Sequence, residues 1–95
     1  MRTYDVFKAI ADDTRRKIFN MLMASNGLTI NAISENFDIS RQGVTKHLKL
    51  LAASGLVNIE PKGREKYCYP NTDALRRIRT WIDQYEHPAR SIYSN

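Results

Sequence analysis

Ser40-Arg41-Gln42-Gly43-Val44-Thr45-Lys46-His47-Leu48-Lys49-Leu50-Leu51 carries two patterns at once. Val44, Leu48 and Leu51 stand at i, i+4 and i+7, which is one apolar stripe at helical period. Arg41, Gln42, Thr45, Lys46 and Lys49 occupy the remaining face. Ser40 is a good N-cap and Ser54-Gly55 a good stop, so the spacing predicts a helix over about 40–54. No acidic residue occurs from Ser40 to Ile59. The outer side chains match base edges. Arg and Lys donate to guanine, Gln pairs with adenine, and Thr donates or touches a thymine methyl. The plain alternative is a solvated basic face, and the missing acids weigh against it. Gly43 in the first turn costs about 0.5–1 kcal/mol relative to alanine. A close neighbour is therefore expected there: the preceding helix, or failing that the DNA backbone.

Downstream, Leu56-Val57-Asn58-Ile59-Glu60 alternates and reads as a strand. Pro61-Lys62-Gly63-Arg64 reads as a turn, and Lys66-Tyr67-Cys68-Tyr69 as a second strand closed by Pro70. The result is a hairpin over about 56–70. Its tip carries Lys62, Arg64 and Lys66, a basic wing suited to phosphates or the minor groove. A solvated turn partly neutralised by Glu60 and Glu65 is the alternative. Tyr67 and Tyr69 are expected to pack beneath it. Asn71 or Thr72 then caps a last helix over about 72–86, with Leu75, Ile78, Trp81, Ile82 and Tyr85 on one side. Pro88 is its expected stop.

Upstream, Thr29 caps a short third helix whose stripe is Ile30, Ile33 and Phe37. Phe37-Asp38-Ile39 forms the tight turn before Ser40. Besides capping, Thr29 and Ser40 would expose backbone amides that favour phosphate oxygens. Tyr4, Phe7, Ile10 and Ala11 suggest a first helix. Asp12 caps a second one through Ile18, Met21 and Leu22, ending near Asn26-Gly27. Helix, short turn, helix and basic hairpin make a winged helix-turn-helix. The fold class is mainly α with a small β-hairpin, in the order α-α-α-α-β-β-α. Residues 1–95 are read as a single DNA-binding domain.

Composition narrows the classes further. The net charge is +5, and residues 40–66 hold six basic residues against two acidic ones, so this segment carries +4 of it. Such a segment suits a polyanion. No run approaches the roughly 20 apolar residues needed to cross a bilayer. No apolar run follows Met1-Arg2-Thr3-Tyr4-Asp5 either, so no membrane insertion and a cytoplasmic location are expected. One cysteine and two histidines exclude an internal disulfide and a thiolate-rich zinc site within one chain. There is no Gly-rich phosphate loop, no HExxH and no nucleophile–base pair. The reading is not an enzyme, with no cofactor and no metal.

The same residues carry a resemblance. Phe7-Lys8-Ala9-Ile10-Ala11-Asp12-Asp13-Thr14-Arg15-Arg16-Lys17-Ile18 resembles the opening F-x-A-L-A-D-P-T-R-R-x-I-L of ArsR-type winged helix-turn-helix repressors, with Asp13 in place of proline. Residues 40–51 resemble that family's S-R-P-A-V-S-K-H-L-x-x-L. Gly55-Leu56-Val57 and Gly63-Arg64 follow at its spacing. The resemblance spans roughly residues 4–86. It implies a homodimer that binds operator DNA and represses transcription. Metal sensors of the family carry Cys-x-Cys on the third helix, and Thr29 to Asn36 holds no cysteine. Others bind zinc on the last helix through Asp and His, where this chain has Asp73, Asp83, Glu86 and only His87. The chain therefore looks most like the non-metal, SdpR-like autorepressor branch. His47 matches a histidine usual in the family and is expected to be packed and hydrogen-bonded. Cys68 reads as a plain strand residue. Arg15, Arg16 and Lys17 read as surface or salt-bridge residues of the second helix, with a peripheral phosphate contact as the alternative.

Tyr4, Phe7, Leu75, Ile78, Trp81, Ile82 and Tyr85 are more apolar surface than so small a core can hide. They are expected to form an isologous dimer interface, against the alternative that Trp81 is simply core. A dimer would set two reading helices about 34 Å apart on an inverted-repeat operator, which could lie in its own promoter. The alternatives are a protein-interaction winged helix and a metal- or redox-responsive repressor of the same family. An effector or an anti-repressor protein stays open as a further partner.

Overall fold

The computed structural model describes residues 4–86; Pro88 and His87, named above, lie outside them. Helix α1 is Val6–Ile10, capped by Asp5, whose carboxylate accepts from Phe7 N at 2.7 Å. Helix α2 is Asp13–Met23, and Asp12 caps it by accepting from Arg15 N at 3.0 Å. A two-residue strand β1, Leu28–Thr29, leads into α3, Ile30–Ser34. Helix α4 is Arg41–Ala53, strand β2 is Val57–Lys62, and strand β3 is Glu65–Pro70. A 3-10 turn at Thr72–Leu75, capped by Asn71, precedes α5, Arg76–Glu86.

The end of α4 follows from its residues. Gly55 takes φ 87, Gly55 N donates to Ala52 O, and Leu56 N donates to Leu51 O. That pair of bonds is the Schellman stop, which needs a left-handed residue after the cap. Leu56 is thereby spent on the stop, so β2 begins one residue later than the alternation suggests. At the other end of the hairpin Lys62 pairs with Glu65, which leaves a two-residue turn, Gly63-Arg64. Gly63 has φ 63, as the first central position of such a turn requires. The strands therefore run closer to the tip than expected.

The sheet has three strands, in the antiparallel order β1-β3-β2, where two were expected. Leu28 pairs with Cys68 and Thr29 with Tyr67. Helix α2 also stops at Met23, short of Asn26-Gly27. Gly27 instead serves the entry to β1. It has φ 105, and the Tyr69 ring lies where a Cβ would stand.

The core joins Ile18 and Leu22 of α2, Ile33 of α3, and Val44, Leu48 and Leu51 of α4. Leu56, Val57 and Cys68 close it from the hairpin side. The predicted stripe of α4 is thus its buried face. Gly43 corrects an expectation: a Cβ there would meet Ser40 Oγ at 3.4 Å and Ile39 at 3.7 Å, both from the turn that opens α4. The preceding helix makes no close approach.

Arg15 is the second correction, because it is buried rather than on the surface. It occupies the inward face of α2, three residues before Ile18 and seven before Leu22. Its Nε donates to Ala9 O at 2.8 Å and its Nη2 to Lys8 O at 3.1 Å. Both carbonyls lie in the last turn of α1, where helical donors run short; Lys8 O also accepts from Ala11 N at 3.2 Å, and the guanidinium is its second donor. Its Nη1 reaches His47 Nδ1 at 3.2 Å. A buried guanidinium is tolerable when its donors are satisfied in this way. Arginine only donates, so His47 Nδ1 accepts. His47 is accordingly packed and hydrogen-bonded, with Asp12 3.9 Å away.

Candidate nucleic-acid interface

A polar groove of about 240 Å³ lies between α4 and the hairpin. Helix α4 contributes Arg41, Thr45 and Lys49 to it, and the hairpin contributes Arg64, Glu65 and Lys66. Thr29, Ile30 and Asn31 close it from the start of α3. Arg41, Lys49, Arg64 and Lys66 are all exposed. Two segments separated by some fifteen residues of sequence thus place their cations around one concavity. The antiparallel pairing of β3 with β1 brings them there, since it lays the hairpin beside the α3 entry.

The remaining predicted residues stand apart. Gln42 and Lys46 are exposed on α4 but do not line the groove. Ser40 is exposed and caps α4, its Oγ accepting from Gly43 N at 3.0 Å. Thr29 Oγ1 does the same for Ala32 N at 3.1 Å. Lys62 folds back over the hairpin. Its Nζ donates to Tyr69 Oη and sits 5.0 and 5.5 Å from the Tyr69 and Tyr67 ring centres. That hydrogen bond raises the lysine above its usual range. The two tyrosines therefore pack beneath the hairpin, as expected, and they hold Lys62. Thr45 Oγ1 is buried without a hydrogen-bond partner among the described residues. Its hydroxyl is withdrawn from the surface and would have to rotate to donate outward.

Asn31 was not among the residues picked out by sequence. Its Oδ1 accepts from Arg41 Nε at 2.6 Å, so it stands at the centre of the groove's only side-chain bridge between α3 and α4 among the described residues. The one available signal was a polar residue in the first turn of α3, which lacks meaning until α3 and α4 are packed.

Charge pairing is confined elsewhere. Among the described residues, Asp13 meets Arg16 at 3.4 Å and Lys17 at 3.0 Å, and Asp12 lies near His47. Lys17 holds the Asp13 carboxyl below its ordinary range. Among the described residues, no lysine or arginine of α4 or the hairpin has a carboxylate within ion-pair distance. Helix α5 presents the contrary chemistry. Trp81 is 50%, Ile82 38% and Tyr85 65% exposed. Trp81 meets Phe7 edge-on at 6.0 Å and Tyr85 at 5.5 Å. Tyr4, Phe7, Leu75 and Ile78 are only partly buried against the core. Trp81 is therefore not a core residue.

Cys68 is fully buried on β3, and burial pushes its thiol up to about 11. Among the described residues no three His, Cys, Asp or Glu side chains group as a metal site. No described helix is long and apolar enough to cross a membrane.

A capped helix beside a two-stranded basic hairpin, following a short helix and turn, defines the winged helix-turn-helix class of DNA-binding domain. The comparisons agree. A family model described as a helix-turn-helix domain matches residues 10–60. Transcriptional repressor SdpR of Bacillus subtilis is 36% identical over 78 residues, covering 82% of this chain and 86% of that protein. HTH-type transcriptional regulator Rv2034 of Mycobacterium tuberculosis is 32% identical over 88 residues, covering 93% and 81%. An ArsR-like transcriptional regulator from Rhodococcus superposes with a TM-score of 0.79 at 28% identity, over 87% of this chain and 75% of that one. The chain belongs to the ArsR-type family of winged helix-turn-helix transcriptional regulators. It is a regulator and not an enzyme.

Proposed function

We propose that the chain is a dimeric, sequence-specific repressor that reads an inverted-repeat operator, its own promoter being the first place to look. In this reading α4 is the recognition helix. Ser40, Arg41, Gln42, Thr45, Lys46 and Lys49 face the major groove, while Lys62, Arg64 and Lys66 serve as a phosphate-contacting wing. Tyr4, Phe7, Leu75, Ile78, Trp81, Ile82 and Tyr85 form the two-fold interface. The cytoplasm is the compartment that such a function requires.

The groove shared by α4 and the hairpin carries this reading, because it gathers four exposed cations against one carboxylate, Glu65, and none of the four is ion-paired within the described chain. Neutralising phosphates with such cations releases counterions and gives salt-dependent affinity. The exposed aromatic end of α5 supports the dimer, since exposed rings of this size gain most by burial against a like surface. That SdpR is a repressor supports the direction of control. A redox-responsive variant has little to work with. A thiol raised to about 11 by burial is almost wholly protonated near neutral pH, and the thiolate is the reactive form.

The test is fluorescence anisotropy of a labelled duplex from immediately upstream of the gene, at two salt concentrations and with excess nonspecific competitor. Binding that survives competitor at two chains per duplex is the expected result. No binding even at low salt would remove the DNA reading and favour a protein-interaction role for the same fold.

A further inference from the structure

Arg41 opens α4 at the rim of the groove, exposed and on a long side chain. Such a side chain is normally spread over many rotamers, and fixing it for one contact costs entropy. Here its Nε donates to Asn31 Oδ1 at 2.6 Å. Asn31 sits in the first turn of α3, whose start is itself fixed by the Thr29 cap. The neighbouring element thus supplies a seated acceptor for the inner edge of the guanidinium.

The choice of nitrogen matters. A guanidinium offers five N–H donors in a planar fork. When Nε is occupied, the end formed by Nη1 and Nη2 keeps two parallel donors. That pair fits guanine O6 and N7, the commonest specific base contact in the major groove. The acceptor is also neutral. A carboxylate at position 31 would hold the arginine as well but would set a negative charge at the mouth of a site meant for DNA. Glu65, the one acid lining the groove, is not within ion-pair distance of Arg41.

We propose that Asn31 is a positioning residue for Arg41, pinning Nε so that Nη1 and Nη2 are aimed at one guanine in each half-site. This rests on the reading of α4 as the recognition helix and deepens it. Asn31 touches no base in this account and acts through Arg41.

The experiment selects bound duplexes from a pool randomised in sequence, using the full chain with Asn31, N31A, N31D, R41A and the N31A/R41A double variant. The base preference at each position is the readout. Thermal melting of each variant checks that it is folded; Asn31 is exposed, so all should melt alike. R41A is expected to lose guanine preference at one base pair per half-site, by about tenfold. N31A is expected to lose preference at the same base pair and nowhere else. In the R41A background N31A adds nothing. N31D retains the preference, because its oxygen still accepts from Nε, while binding every duplex more weakly through its charge.

A flattened position under R41A that survives in N31A overturns the inference and leaves the recognition helix standing. So does a preference lost equally in N31D, or independent, additive effects of N31A and R41A. A wild-type chain that selects no sequence at all overturns the inference and the recognition-helix reading together.

Discussion

Around the groove between α4 and the hairpin, Arg41, Lys49, Arg64 and Lys66 stand in solvent without a carboxylate partner among the described residues. Along α5, Trp81 and Tyr85 stand in solvent with half or more of their surface uncovered. Both regions are exposed, yet exposure means different things in them. A hydrated cation loses little by facing water. An exposed aromatic forgoes roughly 25 cal/mol for each Å² left uncovered. The first surface is complementary to a polyanion and the second to another apolar surface. Arg15 links α4, through His47, to the last turn of α1, and Phe7 at the start of α1 meets Trp81 of α5.

The comparison can be broken most severely from the shared core. Leu48 is fully buried on α4, and Leu48→Ala should cost about 2–5 kcal/mol. Urea unfolding would record it, and DNA binding and self-association should fall together. Trp81→Asp should separate the regions. It places a charge at the centre of the apolar face, and a loss of about 2 kcal/mol or more in self-association is expected, as for an interface hot spot. Sedimentation equilibrium is expected to give dimer for the parent chain and monomer for the variant at the same concentration, with the melting temperature little changed.

Arg64→Ala acts on the other region alone. Affinity should fall for all sequences alike, and the slope of log K against log salt should decrease by about 1. A change in sequence preference without a change in slope would remove the hairpin from the phosphate backbone. The smallest effect belongs to Gly43→Ala. The added methyl meets only ordinary contacts at 3.4 Å and beyond, so stability should rise by up to about 1 kcal/mol. Loss of DNA binding in that folded variant would show that the phosphate backbone passes close to this turn.

How much of this was legible in the sequence differs between the two regions. The period of Val44, Leu48 and Leu51 and the caps Asp12, Thr29 and Ser40 are local signals, and each appears in the structure as read. The hairpin was equally local, apart from its tighter turn. Strand β1 was invisible because two residues have no period, and their pairing with Cys68 and Tyr67 lies some forty residues away. Arg15 reads as a surface residue by its charge, although its position shares the face of Ile18 and Leu22. Asn31's place beside Arg41 and the hold of Tyr67 and Tyr69 on Lys62 are illegible in the sequence for a common reason. These side chains become neighbours only after strand pairing or helix packing.

Hydroxyl-radical footprinting of the operator duplex tests the central claim most directly, because it reads both faces at once. Two protected patches about one helical turn apart, related by the symmetry of an inverted repeat, are the predicted result. They should collapse to weak single-site protection in Trp81→Asp. A single patch for the parent chain, or uniform protection along the duplex, would contradict the assignment of one exposed face to DNA and the other to a second copy of the chain.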